Sequence, residues 1–91
     1  GRISVVAGAL KNKLTGGSSL LPAGVVSADG GFDEGDAVEV ADADGAVFAK
    51  GISRISASDL LLVAGLRSSQ VPADVSPVAI HRDDLVVLPE G

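Results

Sequence analysis

The sequence predicts a small, mainly β domain with two short helices, whose mostly antiparallel strands curl into a barrel. Its 91 residues suffice for one domain, spanning 1–91. Hydrophobic residues make up 46% of the chain, yet Phe32 and Phe48 are its only aromatic residues. The core must therefore be built from Val, Leu, Ile and Ala, and the β-branched members of that set favour strands. Turn signals separate the apolar segments at short intervals, which indicates antiparallel neighbours and a small barrel.

The first predicted elements are a strand and a helix. The segment "RISVV" has the composition of a strand that enters a turn. From there the apolar spacing changes, because Ala7, Leu10 and Leu14 fall at i, i+3 and i+7, which is one face of a helix. Gly16 is placed to end that helix in the left-handed conformation.

The tract "SSLLPAGV" that follows is predicted to be a buried connector. Pro22 lacks a backbone N–H and forces the preceding residue into an extended conformation. Gly24 allows a turn into the next strand, which begins at "VVSA". We expect both Leu20 and Leu21 to fill the core.

The central segment predicts a hairpin. In "AVEVA", Val38 and Val40 share one face and Glu39 lies on the other. The pair Asp44-Gly45 in "DADG" is a favoured hairpin turn. The return strand is "AVFAKGISRI", for which strict alternation places one set of residues on the same side: Phe48, Lys50, Ile52 and Arg54.

The last third predicts a second helix and two short strands. "SASDLLLVAG" begins at a cap supplied by Ser56 or Ser58, carries Asp59 in its first turn and ends at Gly65. After a proline-containing loop, "VAIH" and "LVVL" are predicted as strands on either side of a polar turn.

The charge balance argues against a general nucleic-acid-binding surface. Twelve carboxylates against seven Lys and Arg give a net charge of −5, whereas phosphate contacts dominate nucleic-acid affinity. Four basic residues remain as candidate contacts to RNA or to a protein partner: Lys11, Lys13, Lys50 and Arg54. Ordinary solubilising charge is the favoured interpretation of these residues, and an RNA-binding module is the alternative.

We assign no catalytic, cofactor-binding or metal-ligating residue. The chain has no cysteine, and His81 is its only histidine, so we interpret His81 as structural. "DADG" resembles the start of a calcium loop, but the twelfth position counted from Asp42 is Ser53 instead of glutamate. Cation binding by the acidic loops at 33–36 or 42–44 remains a lesser hypothesis.

Other features bear on location and context. No apolar run approaches the roughly 18 residues of a membrane span. Absence of cysteine fits a reducing compartment, so we expect a cytoplasmic protein that has no membrane partner. Because the chain opens "GRISVV" without methionine, we expect it to be a piece of a longer protein.

Several short motifs occur together in a recognisable order. They are "AGA" at 7–9, "SSLLPAGV" at 18–25, the frame G-x-F-x-x-G-D-x-V from Gly30 to Val38, the frame G-x-x-x-A-x-G from Gly45 to Gly51, and "IHRDDLV" near the end. In this order and spacing the chain resembles the C-terminal PUA domain of the glutamate 5-kinase family. The resemblance runs from about residue 3 to 88 and implies a small pseudo-barrel with short helices.

The resemblance also implies a function. Its parent enzyme would phosphorylate the γ-carboxylate of glutamate with ATP and Mg²⁺, the first step toward proline. In that family the catalytic and nucleotide-binding residues belong to an N-terminal amino-acid-kinase domain, and none maps onto this chain. The expected role of this domain is therefore regulatory, structural or in contacts within a homo-oligomer, with the kinase domain of the same chain as its partner.

Overall fold

The computed structural model describes residues 1–6 and 17–88. Its regular elements in chain order are β1 (Arg2–Val5), the 3₁₀ helix η1 (Pro22–Gly24), β2 (Val25–Asp29), β3 (Ala37–Ala41), β4 (Val47–Ile52), α1 (Ala57–Val63), the 3₁₀ helices η2 (Ser68–Gln70) and η3 (Arg82–Asp84), and β5 (Leu85–Val87). The first predicted helix, with Ala7, Leu10, Leu14 and Gly16, lies outside the described residues.

The five strands form one sheet in the order β2-β1-β3-β4-β5. Every neighbouring pair is antiparallel except β1 and β3, which run parallel. The prediction of a mainly β domain with mostly antiparallel strands is therefore confirmed.

A short backbone pairing closes the sheet toward a barrel. Leu20 lies five residues before β2 at one edge of the sheet, and Ile80 lies five residues before β5 at the other. The Leu20 N–H donates to the Ile80 carbonyl over 2.9 Å, and the Ala79 N–H donates to the Leu20 carbonyl over 2.8 Å. Leu20, Ala79 and Ile80 are fully buried, so the tract "SSLLPAGV" joins the two edges of the sheet through its first leucine.

The core is aliphatic, as the composition requires. Its large, fully buried side chains come from β1, β3, α1 and the closing segments: Ile3, Val5, Leu20, Val40, Leu60, Val63 and Ile80. Phe32 and Phe48 complete it. Gly51 lets the segment before β5 approach β4, because a Cβ there would lie 2.6 Å from the Asp84 carbonyl oxygen.

The alternation expected for β4 is wrong at Phe48, which is buried. The pairing of β3 with β4 passes from Val40–Ala49 to Ala41–Val47, so Phe48 is the extra residue of a β-bulge. A bulge changes the direction of the side chain at that point, and here it turns Phe48 into the core. Lys50, Ile52 and Arg54 are all exposed, in agreement with the expectation that they share one side.

The predicted return strand also ends early, at Ile52 instead of Ile55. Ser53 is fully buried, and its hydroxyl donates to the Ile55 carbonyl over 2.6 Å. This local side-chain bond competes with the strand ladder and turns the chain toward α1.

Two further expectations need correction. "VAIH" forms only the isolated bridge of Ile80 to Leu20, because its backbone pairs with a connector and not with a strand. Leu21 is 39% exposed, since adjacent residues of an extended segment point to opposite sides. The second predicted helix is confirmed as α1, and Ser56 supplies the cap by accepting from the Asp59 N–H.

Because Leu20 pairs with Ile80 and is buried whereas Leu21 is partly exposed, we expect substitutions of these two leucines to lower the free energy of unfolding by different amounts. Leu20→Ala should lower the free energy of unfolding by about 2–5 kcal/mol, because it opens a cavity where the sheet edges meet. Leu21→Ala is the matched control and should cost about 1 kcal/mol or less, because that side chain is partly exposed. Urea denaturation followed by circular dichroism measures both, and equal losses would contradict a closing role for Leu20.

Candidate functional site

The acidic hairpin turn between β3 and β4 is held by its own first carboxylate. Oδ1 of Asp42 accepts from the Asp44 and Ala46 N–H groups, each over 3.0 Å. Gly45 follows in the left-handed region with φ of 85°. The Asp42 carboxylate therefore serves the backbone of the turn.

The acidic loop before β3 is built in a similar way. Oδ2 of Asp36 accepts from the Asp33 N–H over 2.9 Å, and the Asp36 N–H donates to the Asp33 carbonyl over 3.1 Å. Gly35 adopts φ of 91° between them. Among the described residues, no group of three or more His, Asp or Glu side chains is arranged to hold a metal ion.

His81 organises the turn before β5. Its Nδ1 accepts from the Asp83 N–H over 3.1 Å and so caps η3. In the same turn, the Asp84 carboxylate pairs with the Arg54 guanidinium over 3.5 Å.

The four candidate basic contacts do not form a described patch. Lys11 and Lys13 lie outside the described residues. Arg54 is paired with Asp84, and Lys50 is exposed on β4 directly opposite Glu39 of β3. Glu39 itself pairs with Arg2 over 3.6 Å. Each described cation of the set therefore has a carboxylate beside or opposite it, which weakens attraction for a polyanion.

A shallow, open recess lies beside the start of β1. It is lined by Gly1, Arg2, Asp29, Gly30 and Glu39. Its charged side chains are two carboxylates and one guanidinium, and the guanidinium pairs with Glu39. This set supplies neither a nucleophile with an adjacent base nor a paired acid and base in a closed cleft, so it offers no recognisable catalytic chemistry.

Among the described residues, the outer side of α1 exposes two adjacent large apolar side chains. Ala57, Leu60 and Val63 of this helix are buried, while Leu61 is 54% exposed and Leu62 is 78% exposed. We did not predict this surface from the sequence. The available signal was the run of four consecutive apolar residues at 60–63, because a helix turns only about half of such a run toward one side.

The family model of the PUA domain matches residues 1–74. The chain belongs to the PUA domain family. Solved structures agree on the fold: a PUA domain from Aeropyrum pernix K1 matches 90% of this chain and 42% of that chain with a TM-score of 0.65 and 23% identity. A conserved PUA domain protein from Thermoplasma acidophilum matches 91% of this chain and 50% of that chain with a TM-score of 0.59 and 23% identity.

Sequence relatives of this PUA domain are much longer. It is 44% identical to the glutamate 5-kinase of Myxococcus xanthus over 97% of this chain, and 46% identical to that of Brucella ovis over 96% of it. The match covers 24% of each of those proteins, so the chain spans about a quarter of their length. No helix in the described part of the chain is long and apolar enough to cross a membrane.

The turn geometry predicts that the oxygen of residue 42 matters more than its charge. Asp42→Ala should lower the free energy of unfolding by about 1 kcal/mol, because two N–H groups lose their acceptor. Asp42→Asn should retain most of the stability, because its amide oxygen can accept the same bonds. Urea denaturation compares the variants, and a loss in Asp42→Asn as large as in Asp42→Ala would contradict this role.

Because Lys50 lies opposite Glu39 and Arg54 lies beside Asp84, we expect these two residues to bind RNA only weakly. In a gel-shift assay with transfer RNA at low salt, the 91-residue chain at micromolar concentration should cause no retardation. Lys50→Ala with Arg54→Ala should leave that result unchanged. Retardation that falls steeply with salt and is lost in the double variant would instead support the RNA-binding alternative.

Proposed function

We propose that this chain is the non-catalytic C-terminal PUA domain of a glutamate 5-kinase, the ATP-dependent enzyme of the first step of proline biosynthesis. One observation carries the proposal: the chain matches glutamate 5-kinases over nearly its whole length at 40–46% identity, yet covers only about a quarter of them. The remaining three quarters would hold the reaction centre. The domain would then act in the cytoplasm, as part of that enzyme.

The described side chains support an accessory role. The carboxylates of Asp36 and Asp42 serve as acceptors for turn backbone, and His81 caps η3. Phosphoryl transfer needs phosphate-binding donors and carboxylates that hold Mg²⁺. ATP and Mg²⁺ would therefore bind the kinase domain of the same chain. This domain would contribute to the regulation of that enzyme, to its structural support or to its oligomer contacts.

The test compares three proteins from the source reading frame: the full-length chain, residues 1–91 alone, and the full-length chain lacking residues 1–91. Glutamate-dependent ATP turnover is measured for each. Turnover should be found in the full-length chain and absent from residues 1–91. Loss of the domain should leave turnover detectable while changing its response to effectors or the oligomeric state, measured by analytical ultracentrifugation.

Two outcomes would overturn the proposal. Glutamate-dependent turnover by residues 1–91 alone would contradict a non-catalytic role. An upstream reading frame that encodes an RNA-modifying domain would replace the kinase context and favour the RNA-binding alternative.

A further inference from the structure

The outer face of α1 is unusually apolar for a short surface helix. The helix packs against β2 and η1, and its buried stripe is Ala57, Leu60 and Val63. Four residues are left on the outer face: Ser58, Asp59, Leu61 and Leu62. Half of that face is leucine, although water-facing positions of an amphipathic helix are normally polar.

The strand β2, on which α1 packs, also exposes one aliphatic side chain to solvent. The pairing of β1 with β2 passes from Ser4–Ser27 to Val5–Val25, so Val26 is the extra residue of a β-bulge. Val26 is 60% exposed, on the edge strand against which α1 packs. Single exposed aliphatic residues such as Val26 are ordinary, whereas two adjacent exposed leucines on one short helix form a local apolar surface.

We propose that the outer face of α1, centred on Leu61 and Leu62, is the surface on which the kinase domain of the same chain docks. This inference rests on the proposed function. The partner surface would be an apolar depression that receives the two leucine side chains. A basic group at its border would complement Asp59, which is exposed beside them.

The size of the surface favours a partner in the same chain over a second copy of the domain. A standard stable interface between separate proteins uses roughly 20–30 residues on each side. The four outer helix residues fall far short of that. A covalently linked domain faces an effective concentration in the millimolar range, so a small apolar contact suffices to hold it. The relatives carry about three times as much chain outside the match, which supplies such a domain.

The test uses three full-length proteins: the wild type, Leu61→Gln with Leu62→Gln, and Val86→Thr. Glutamine keeps a high helix propensity while it removes the apolar surface. Val86 is a matched control because it is 56% exposed on β5, the opposite edge of the sheet, and threonine suits a strand. Hydrogen exchange with mass spectrometry is followed in peptides of the kinase domain as well as in α1.

The double glutamine variant should speed exchange by about tenfold in one contiguous segment of the kinase domain, because α1 no longer shields that segment from solvent. The Val86→Thr variant should match the wild type there. Local weakening of α1 alone would not alter exchange in the other domain, so this readout separates docking from helix stability. Unchanged kinase-domain exchange in the glutamine variant would overturn the proposal.

Two other results have distinct meanings. If the glutamine variant reduces the oligomeric state in ultracentrifugation with no change in kinase-domain exchange, α1 contacts a second copy, and the proposal is wrong. If the full-length chain has no glutamate-dependent ATP turnover, the proposed function fails independently of α1. Turnover together with unchanged exchange would refute the docking surface and leave the proposed function standing.

Discussion

The backbone pairing of Leu20 with Ile80 is the contact on which the rest of this domain depends. It joins two segments that are 60 positions apart in the chain, each of which leads into an edge strand. Further contacts gather around it: the Arg54 N–H donates to the Ala79 carbonyl over 2.7 Å, and the Arg82 N–H donates to the Ser19 hydroxyl over 2.9 Å. Without this closure, a five-stranded aliphatic sheet would have to leave both edges and much of one face in water, which a domain of this size cannot support.

Several polar side chains serve the backbone of the turns that connect the strands. Asp36, Asp42, Ser53 and His81 each accept or donate a bond within four residues of their own position. Each thereby pairs backbone groups that the short strands do not reach. This use explains how an acidic domain can carry many carboxylates without a cluster that binds a cation among its described residues. Because these carboxylates are engaged with the backbone, exposed apolar side chains are the better candidates for contacts with a partner domain.

The apolar surface on α1 follows from the shortness of the helix. Seven residues make about two turns, and the core takes only the stripe that faces β2 and η1. Leu61 and Leu62 belong to the same apolar run as Leu60 and Val63, yet the helical period places them outside. Within the domain, Leu61 and Leu62 contribute helix propensity but bury little apolar surface. Their position is understandable if a neighbouring domain covers them.

The sequence by itself determined the fold class, the aliphatic core, strands β1 to β3, a serine cap at the start of α1 and the hairpin turn at Asp44-Gly45, because local periodicity and turn chemistry encode all of these. Only the tertiary structure decided which leucine of "SSLLPAGV" enters the core, where β4 ends, and that Phe48 is buried at a bulge. It likewise decided that Ile80 pairs with a connector and that Arg54 lies beside Asp84. The physical reason is that each of these depends on a partner distant in the chain, and a spacing of two or 3.6 residues carries no information about which distant backbone closes against it.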